Sequence, residues 1–281
     1  VSDIDGAITS NGQVFFSNPN GIVFGANAEV NVGGLIATTA NISVNNNTAT
    51  LTGVANSTSE IESNGTINSS GMIAFIAPNI DVQGGTLTAG NGSEIHFNNA
   101  TNGTITLSNG ISFNLADTAA FIDDQQGVNN AATLISDGGL IVLDSDALNS
   151  VYSGAINNTG IINVNSLTGT DGDIQLIATA ANGVIANSGD LQAGGATLNA
   201  DIVNLTGSND LDNLNNLILE DVNQVNSSVT SLAFSNLQVN GDTTWNANTD
   251  LAFDTNTDLQ AFEDSTSSLS FDSNNNDLTL G

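Results

Sequence analysis

The chain carries 281 residues with no lysine or arginine, one histidine and 29 aspartates and glutamates, giving a formal charge of -29. A polyanion without a single basic side chain is repelled by phosphate backbones and anionic headgroups, which excludes nucleic acid and anionic membrane surfaces as partners. The absence of cysteine excludes disulfides, thiolate metal sites and a cysteine nucleophile.

What remains is a composition that folds: 39% hydrophobic and only 10% charged, unlike a disordered acidic tail. No apolar run is long enough to span a bilayer, so no membrane insertion is expected. Val1 opens in mid-pattern without a signal peptide, and a targeting segment is expected to have been removed or omitted. The lack of cations has three readings. Stacked lysines would repel in a repetitive coil, basic residues invite proteolytic cleavage, or the chain is a piece trimmed at basic sites.

The first distinctive element is NGQVFFSNPNGIVFGANAEVNVGG, Asn11 to Gly34. Two strand-like runs, VFF and IVF, flank Asn18-Pro19-Asn20-Gly21. Pro19 has the fixed φ needed at the second position of a turn, Asn18 and Asn20 can bond back to nearby backbone, and Gly21 accepts a positive φ. The residues by themselves therefore predict strand, tight corner, strand.

Over the longer span Asn11 to Ser43, the sequence closely resembles the amino-terminal secretion domain of filamentous haemagglutinin-like exoproteins of two-partner secretion systems. Asn18, Pro19, Asn20, Gly21 and Ile22 match that family's second hallmark motif, and VNVGGLIATT (Val30 to Thr39) matches the strand that follows. Ala55 to Ile80 also resembles the family's continuing coils. The resemblance implies a right-handed parallel β-helix, export through an outer-membrane β-barrel transporter, and a life outside the cell or on its outer surface. It also implies that the motif serves recognition and folding during export.

Further along, helix signals are almost absent: the chain has 29 glycines, and without cations it can form no charge pairs at helical spacing. Thr104 to Leu115 (TITLSNGISFNL), Gly139 to Asp144 (GLIVLD) and Asp173 to Ala178 (DIQLIA) alternate between apolar and polar residues and are flanked by turn residues, which predicts coil strands. Runs opening at Ile61, Ile156 and Ile185 share one scheme: Ile, a polar pair or triplet, Gly, strand, small turn, strand. A later run from Ser231 keeps the spacing but exchanges glycine for aspartate. Imperfect repeats of roughly twenty residues have the size of a solenoid turn.

The predicted fold is all-β, a parallel β-solenoid. Residues 1–90 read as a partial secretion-type domain, 91–200 as continuing coils and 201–281 as more divergent, Asp-rich coils of one continuous unit. Abundant asparagine fits, because amides in register can hydrogen-bond along a stack.

Site chemistry is sparse. His96, alone in an alternating strand, reads as an outward polar position, since a metal site needs several ligands and a triad an oriented neighbour. Parallel β-helices include polysaccharide-cleaving enzymes. The lyases resemble one another in an Arg or Lys base, absent here, and the hydrolases in an ordered series: Asn-Thr-Asp, Asp-Asp, Gly-His-Gly and a basic motif. Here Asp123-Asp124 precedes Asn248-Thr249-Asp250 and Asn256-Thr257-Asp258, and the last two motifs do not occur. No catalytic, cofactor-binding or metal residue is therefore assigned.

The pairs Asp144 with Asp146, Asp171 with Asp173, Asp210 with Asp212, and Glu263 with Asp264 offer oxygen ligands without calcium-loop spacing, so weak, diffuse Ca²⁺ binding is the most that is expected. Asn41, Asn56, Asn64, Asn68, Asn91 and Asn226 stand in glycosylation triplets that this composition would also produce by chance.

The expected function is that of a secreted, non-enzymatic structural protein: a β-solenoid rod, as an adhesin shaft or as a fibre subunit stacking head-to-tail on copies of itself through uncapped ends. The alternative is a polysaccharide-binding or polysaccharide-hydrolysing β-helix protein. An adhesin tip would need a loop outside the coil, for which Phe121 to Thr133 (FIDDQQGVNNAAT) is the candidate.

Overall fold

One circuit of the chain is three short strands joined by corners, and each circuit hydrogen-bonds to the one before it. The computed structural model describes residues 1–54, 58–107, 111–116, 127–145, 155–167, 169–179, 182–206, 211, 213–229, 231–232, 236–248, 251–253, 258–261, 267–272 and 278–279. The first coil consists of Ser2–Ile4, Ala7–Thr9 and Gln13–Ser17, and the second of Ile22–Phe24, Glu29–Val32 and Gly34–Thr38. They pair in parallel, Ser2 with Ile22, Ala7 with Glu29 and Gln13 with Gly34.

Among the described residues, eleven strands stack in this way on the first face, from Ser2–Ile4 to Ser268–Asp272. The second and third faces share a 16-stranded sheet, because the 11-residue strand Asp190–Ala200 pairs with Ile161–Asn163 in its first half and with Asp173–Ala178 in its second. The chain is a parallel β-solenoid.

The repeat seen in the sequence is a single location in space. Ile22, Ile61, Ile80, Val128, Ile156 and Ile185 pair in succession on the first face, and all are buried. Alternation explains this: a period of two sends the opening Ile and the residue two places on into the core, and the residue between them outward. The repeat's glycine sits at the next corner. A Cβ on Gly189 would lie 1.9 Å from the carbonyl oxygen of Gly160 in the coil below, so the corner closes only with glycine.

The core changes character along the axis. In coils one to four, Phe16, Phe24, Phe75 and Phe97 form a continuous column with centroid separations of 6.0, 5.7 and 5.1 Å, the last two pairs stacked. In coils five to seven the inward position holds Asn130, Asn158 and Asn187, all fully buried. Asn130 Nδ2 donates to Asn158 Oδ1 at 2.8 Å, Asn158 Nδ2 to Asn187 Oδ1 at 2.7 Å, and Asn187 Nδ2 to the carbonyl of Gly189 at 3.0 Å. The amide stack anticipated from composition runs through the core.

One expectation fails. Thr104 to Leu115 does not continue the coil; it forms Asn102–Thr106 and Ser112–Ala116, an antiparallel pair that joins Thr48–Thr52 and Asn41–Asn45 in a four-stranded sheet outside the solenoid. This sheet lies on the outer side of the third face. Its Ala49, Leu51 and Ile105 bury the outward-pointing Ile36, Ala74 and Ile76. Alternation fixes which side chains share a face but not which strand is the partner, so coil and covering strands look alike in sequence.

The signal that could have revealed the cover lies beneath it. Gly34–Thr38 and Ile73–Ile76 are buried at every position, and their sequences GLIAT and IAFI do not alternate, as expected of strands covered on both faces. In the proposed tip loop, Gly127–Asn130 and Thr133–Ser136 are instead coil strands, and residues 121–126 lie outside the described residues.

Candidate functional site

The Asn-Pro-Asn-Gly corner links the third face of the first coil to the first face of the second. Asn18 uses its backbone and side chain together. Its N–H donates to the carbonyl of Thr38 at 3.1 Å, extending the ladder between coils, and its C=O accepts the N–H of Gly21 at 3.0 Å, closing a four-residue turn around Pro19 and Asn20. Its Oδ1 accepts the N–H of Asn20 at 2.9 Å, and its Nδ2 donates to Ser2 Oγ at 2.9 Å.

Gly21 has φ +110°, a conformation L side chains rarely adopt, and a Cβ there would lie 3.2 Å from the carbonyl oxygen of Glu60 in the third coil. Its own C=O accepts the N–H of Ser2 at 3.0 Å. Ile22 then points into the core and is fully buried, while Asn20 stays exposed and Pro19 partly so. The motif thus fixes the step between coils, with Asn20 exposed and Asn18 and Pro19 half-buried. The other proline of the chain, Pro78, occupies the equivalent corner of the third coil, where its carbonyl accepts from Asn99 Nδ2. Its isolated position in Ala77-Pro78-Asn79 gave the sequence reading nothing to match.

Two carboxylates near this end are perturbed in opposite directions. Burial pushes the Glu60 carboxyl above its ordinary value, helped by the charges of Asp81 and Glu62 and opposed by a hydrogen bond from Asn79. Asp5 is held below its ordinary value by Asn27, whose Nδ2 and backbone N–H each donate to it at 3.0 Å.

His96 does point outward, at a third-face position between Ala74 and Val142. The covering sheet makes it an internal contact all the same. Its Nε2 lies 2.7 Å from Glu94 Oε2, and its ring centroid lies 5.2 Å from that of Phe113 in the cover.

Of the acidic pairs, only Asp171 with Asp173 lies wholly within the described residues, and its two members serve different places. Asp171 Oδ1 accepts the N–H of Ser166 at 2.7 Å and closes its own loop, while Asp173 opens a third-face strand between Leu140 and Gly195. Asp144 is the last residue of Leu140–Ser145 to pair with Asp173–Ala178. Asp123, Asp124, Asp146, Asp210, Asp212, Thr249, Asp250, Asn256, Thr257, Glu263 and Asp264 lie outside the described residues. Among the described residues, no group of three or more His, Asp or Glu is placed to hold a metal ion.

Of the glycosylation triplets, Asn41 and Asn91 are exposed, Asn68 donates to Asn31 at 3.0 Å, Asn64 donates to Glu62 and Gln83, and Asn226 joins an outer amide ladder. Asn56 lies outside the described residues.

The sequence that builds these features is similar to known proteins. The family model of the TPS secretion domain, where TPS denotes two-partner secretion, matches residues 1–193, a span holding the corner, the aromatic column, the covering sheet and the core asparagine ladder. A 42-residue segment is 48% identical to the heme/hemopexin-binding protein of Haemophilus influenzae and to that of its strain Rd. The segment is 15% of this chain but only 4% and 5% of those proteins, so the chain matches a small fraction of their length. With the larger part of its length matched by the family model, the chain belongs to the TPS secretion-domain family of two-partner exoproteins, which are secreted to the cell surface or beyond.

Proposed function

We propose that this chain is the export-competent, shaft-forming part of a non-enzymatic exoprotein, and that the Asn18–Ile22 corner is engaged by an outer-membrane β-barrel transporter during export. The observation that supports the reading is the corner itself, where one side chain and its backbone join two successive coils and leave Pro19 and Asn20 on the surface. A transporter that grips this corner holds the place where one coil is laid on the next. Each further coil then adds backbone hydrogen bonds and a buried Ile, Val or Leu, a gain obtained only once the chain has emerged. The absence of cysteine leaves no cross-link to obstruct threading.

The mature molecule acts as a stiff, acidic rod. Coil-on-coil stacking between copies, in the same register the coils use internally, would make a head-to-tail fibre by a contact that does not close. The test of export is co-expression with the cognate transporter and measurement of the secreted fraction. Asn18→Ala is expected to reduce it at least tenfold while the purified variant still refolds to a β-rich spectrum. Secretion at the wild-type level would refute the role of the corner. Fibre formation is tested by electron microscopy of concentrated protein, where rods of single-molecule length alone would refute it. Release of reducing ends from a panel of neutral polysaccharides would refute the non-enzymatic reading.

A further inference from the structure

The first face carries an asparagine ladder on its outside as well as in the core, and the outer ladder has a gap. Its successive positions are Asp81, Asn129, Asn157, Ala186, Asn204, Asn226 and Asn246. Below the gap, Asn157 Nδ2 donates to Asn129 Oδ1 at 2.8 Å and Asn129 Nδ2 to Asp81 Oδ1 at 2.8 Å. Above it, Asn246 Nδ2 donates to Asn226 Oδ1 at 3.0 Å and Asn226 Nδ2 to Asn204 Oδ1 at 2.8 Å. Each of these four amides donates toward the first coil.

Ala186 therefore faces a matched pair of unused groups. Asn204 Nδ2 has no acceptor and Asn157 Oδ1 has no donor among the described residues, and their strands stand two coils apart, about 9.6 Å between backbones at the spacing of paired strands. One amide placed over Ala186 would accept from Asn204 and donate to Asn157, completing the ladder. Beside this gap, Val184 on the gap's own strand and Ile202 on the next coil point outward, paired and half-buried, so a methyl group has an apolar wall to rest on.

We propose that the Ala186 gap is a binding notch for a secondary amide, the acetamido group of a neutral N-acetylated sugar. A trans secondary amide points its N–H and C=O in opposite directions, as the gap requires, and the acetamido methyl fits the Val184–Ile202 wall. An extended peptide fits poorly. It carries an amide at every residue, and only one would find partners while its neighbour lay against the apolar Val184–Ile202 pair. The charge of -29 with no basic residue disfavours sialylated or uronic sugars.

The test is saturation-transfer NMR of the full chain with the β-1,4-linked tetramer of N-acetylglucosamine, alongside the glucose tetramer and a capped triglycine peptide. The acetyl methyl is expected to receive the strongest saturation, with the glucose tetramer bound at least tenfold more weakly. Ala186→Asn supplies the missing amide from the protein and is expected to weaken the N-acetylated tetramer at least tenfold. Asn204→Asp keeps the acceptor for Asn226 but removes the donor facing the gap, and is expected to do the same. No saturation at millimolar sugar, undiminished binding by both variants, or equal binding of the glucose tetramer would overturn the proposal. Binding of the capped peptide at least as tight as that of the sugar would overturn the sugar assignment.

Discussion

Coils one to four and coils five to seven solve the same problem with different chemistry. The first group fills its core with a phenylalanine column and buries its third face under an antiparallel sheet. The second threads three buried asparagines through the core. Aromatic stacking buries much apolar surface but tolerates small sliding between rings. An amide ladder buries less and tolerates none, because a slip by one position leaves buried donors and acceptors unpaired.

The difference does not follow the insertions. The cover strands Asn41–Asn45 and Thr48–Thr52 are inserted between Ile22 and its partner Ile61 in the first group, just as connections longer than that from Ile61 to Ile80 separate Val128 from Ile156 and Ile156 from Ile185 in the second. Packing gives the first group its stability, and hydrogen-bond geometry gives the second its register.

The largest expected effect is in the aromatic column. Phe75→Ala removes the ring between Phe24 and Phe97 and should cost about 4 kcal/mol in denaturant unfolding. A loss below about 1 kcal/mol would mean that the column is not a principal source of stability. Asn158→Leu should cost nearly as much, about 3 kcal/mol, because Asn187 Oδ1 loses its donor and Asn130 Nδ2 its ladder acceptor inside the core. Replacing Asn130, Asn158 and Asn187 by leucine together should recover part of that loss, since no side-chain amide is left orphaned, while the Ala132 N–H and the Gly189 carbonyl still lose their asparagine partners. Additive losses in the triple variant would refute the register argument.

At the corner, Gly21→Ala should cost about 1 kcal/mol or more, from the positive φ and the approach to the Glu60 carbonyl. A neutral result would show that the turn can relax. The smallest effect concerns Glu60. Its carboxyl binds a proton more tightly in the folded than in the unfolded chain, so stability falls as pH rises from the ordinary glutamate range through its raised value and stays reduced above it. Glu60→Gln should remove that slope and stabilise the protein at neutral pH by about a few tenths of a kcal/mol, a small gain because the group is only partly buried. Titrated melting curves that coincide with those of the parent would refute the burial cause.

Much of the fold was legible because its rules are local. A period of two, a glycine after each polar pair and turn residues at steady intervals were enough for coils of about twenty residues, and Ile61, Ile156 and Ile185 do occupy equivalent places in space. The Asn18–Ile22 corner was also readable, since Asn18, Pro19 and Gly21 each meet a backbone requirement of the turn and Ile22 meets a burial one.

Partner identity was not legible, because it is not a local property. Asn129 and Asn130 are neighbours in sequence, yet one joins the outer ladder and the other the core ladder. Thr104 to Leu115 alternates as a coil strand does, yet pairs antiparallel in the cover. Sequence alone determined that this chain winds into stacked parallel coils, because alternation and turn chemistry act within a few residues. Only the tertiary structure decided which segments leave the coil and which asparagines face inward, because those outcomes depend on groups tens of residues away competing for the same hydrogen bonds and the same apolar surface.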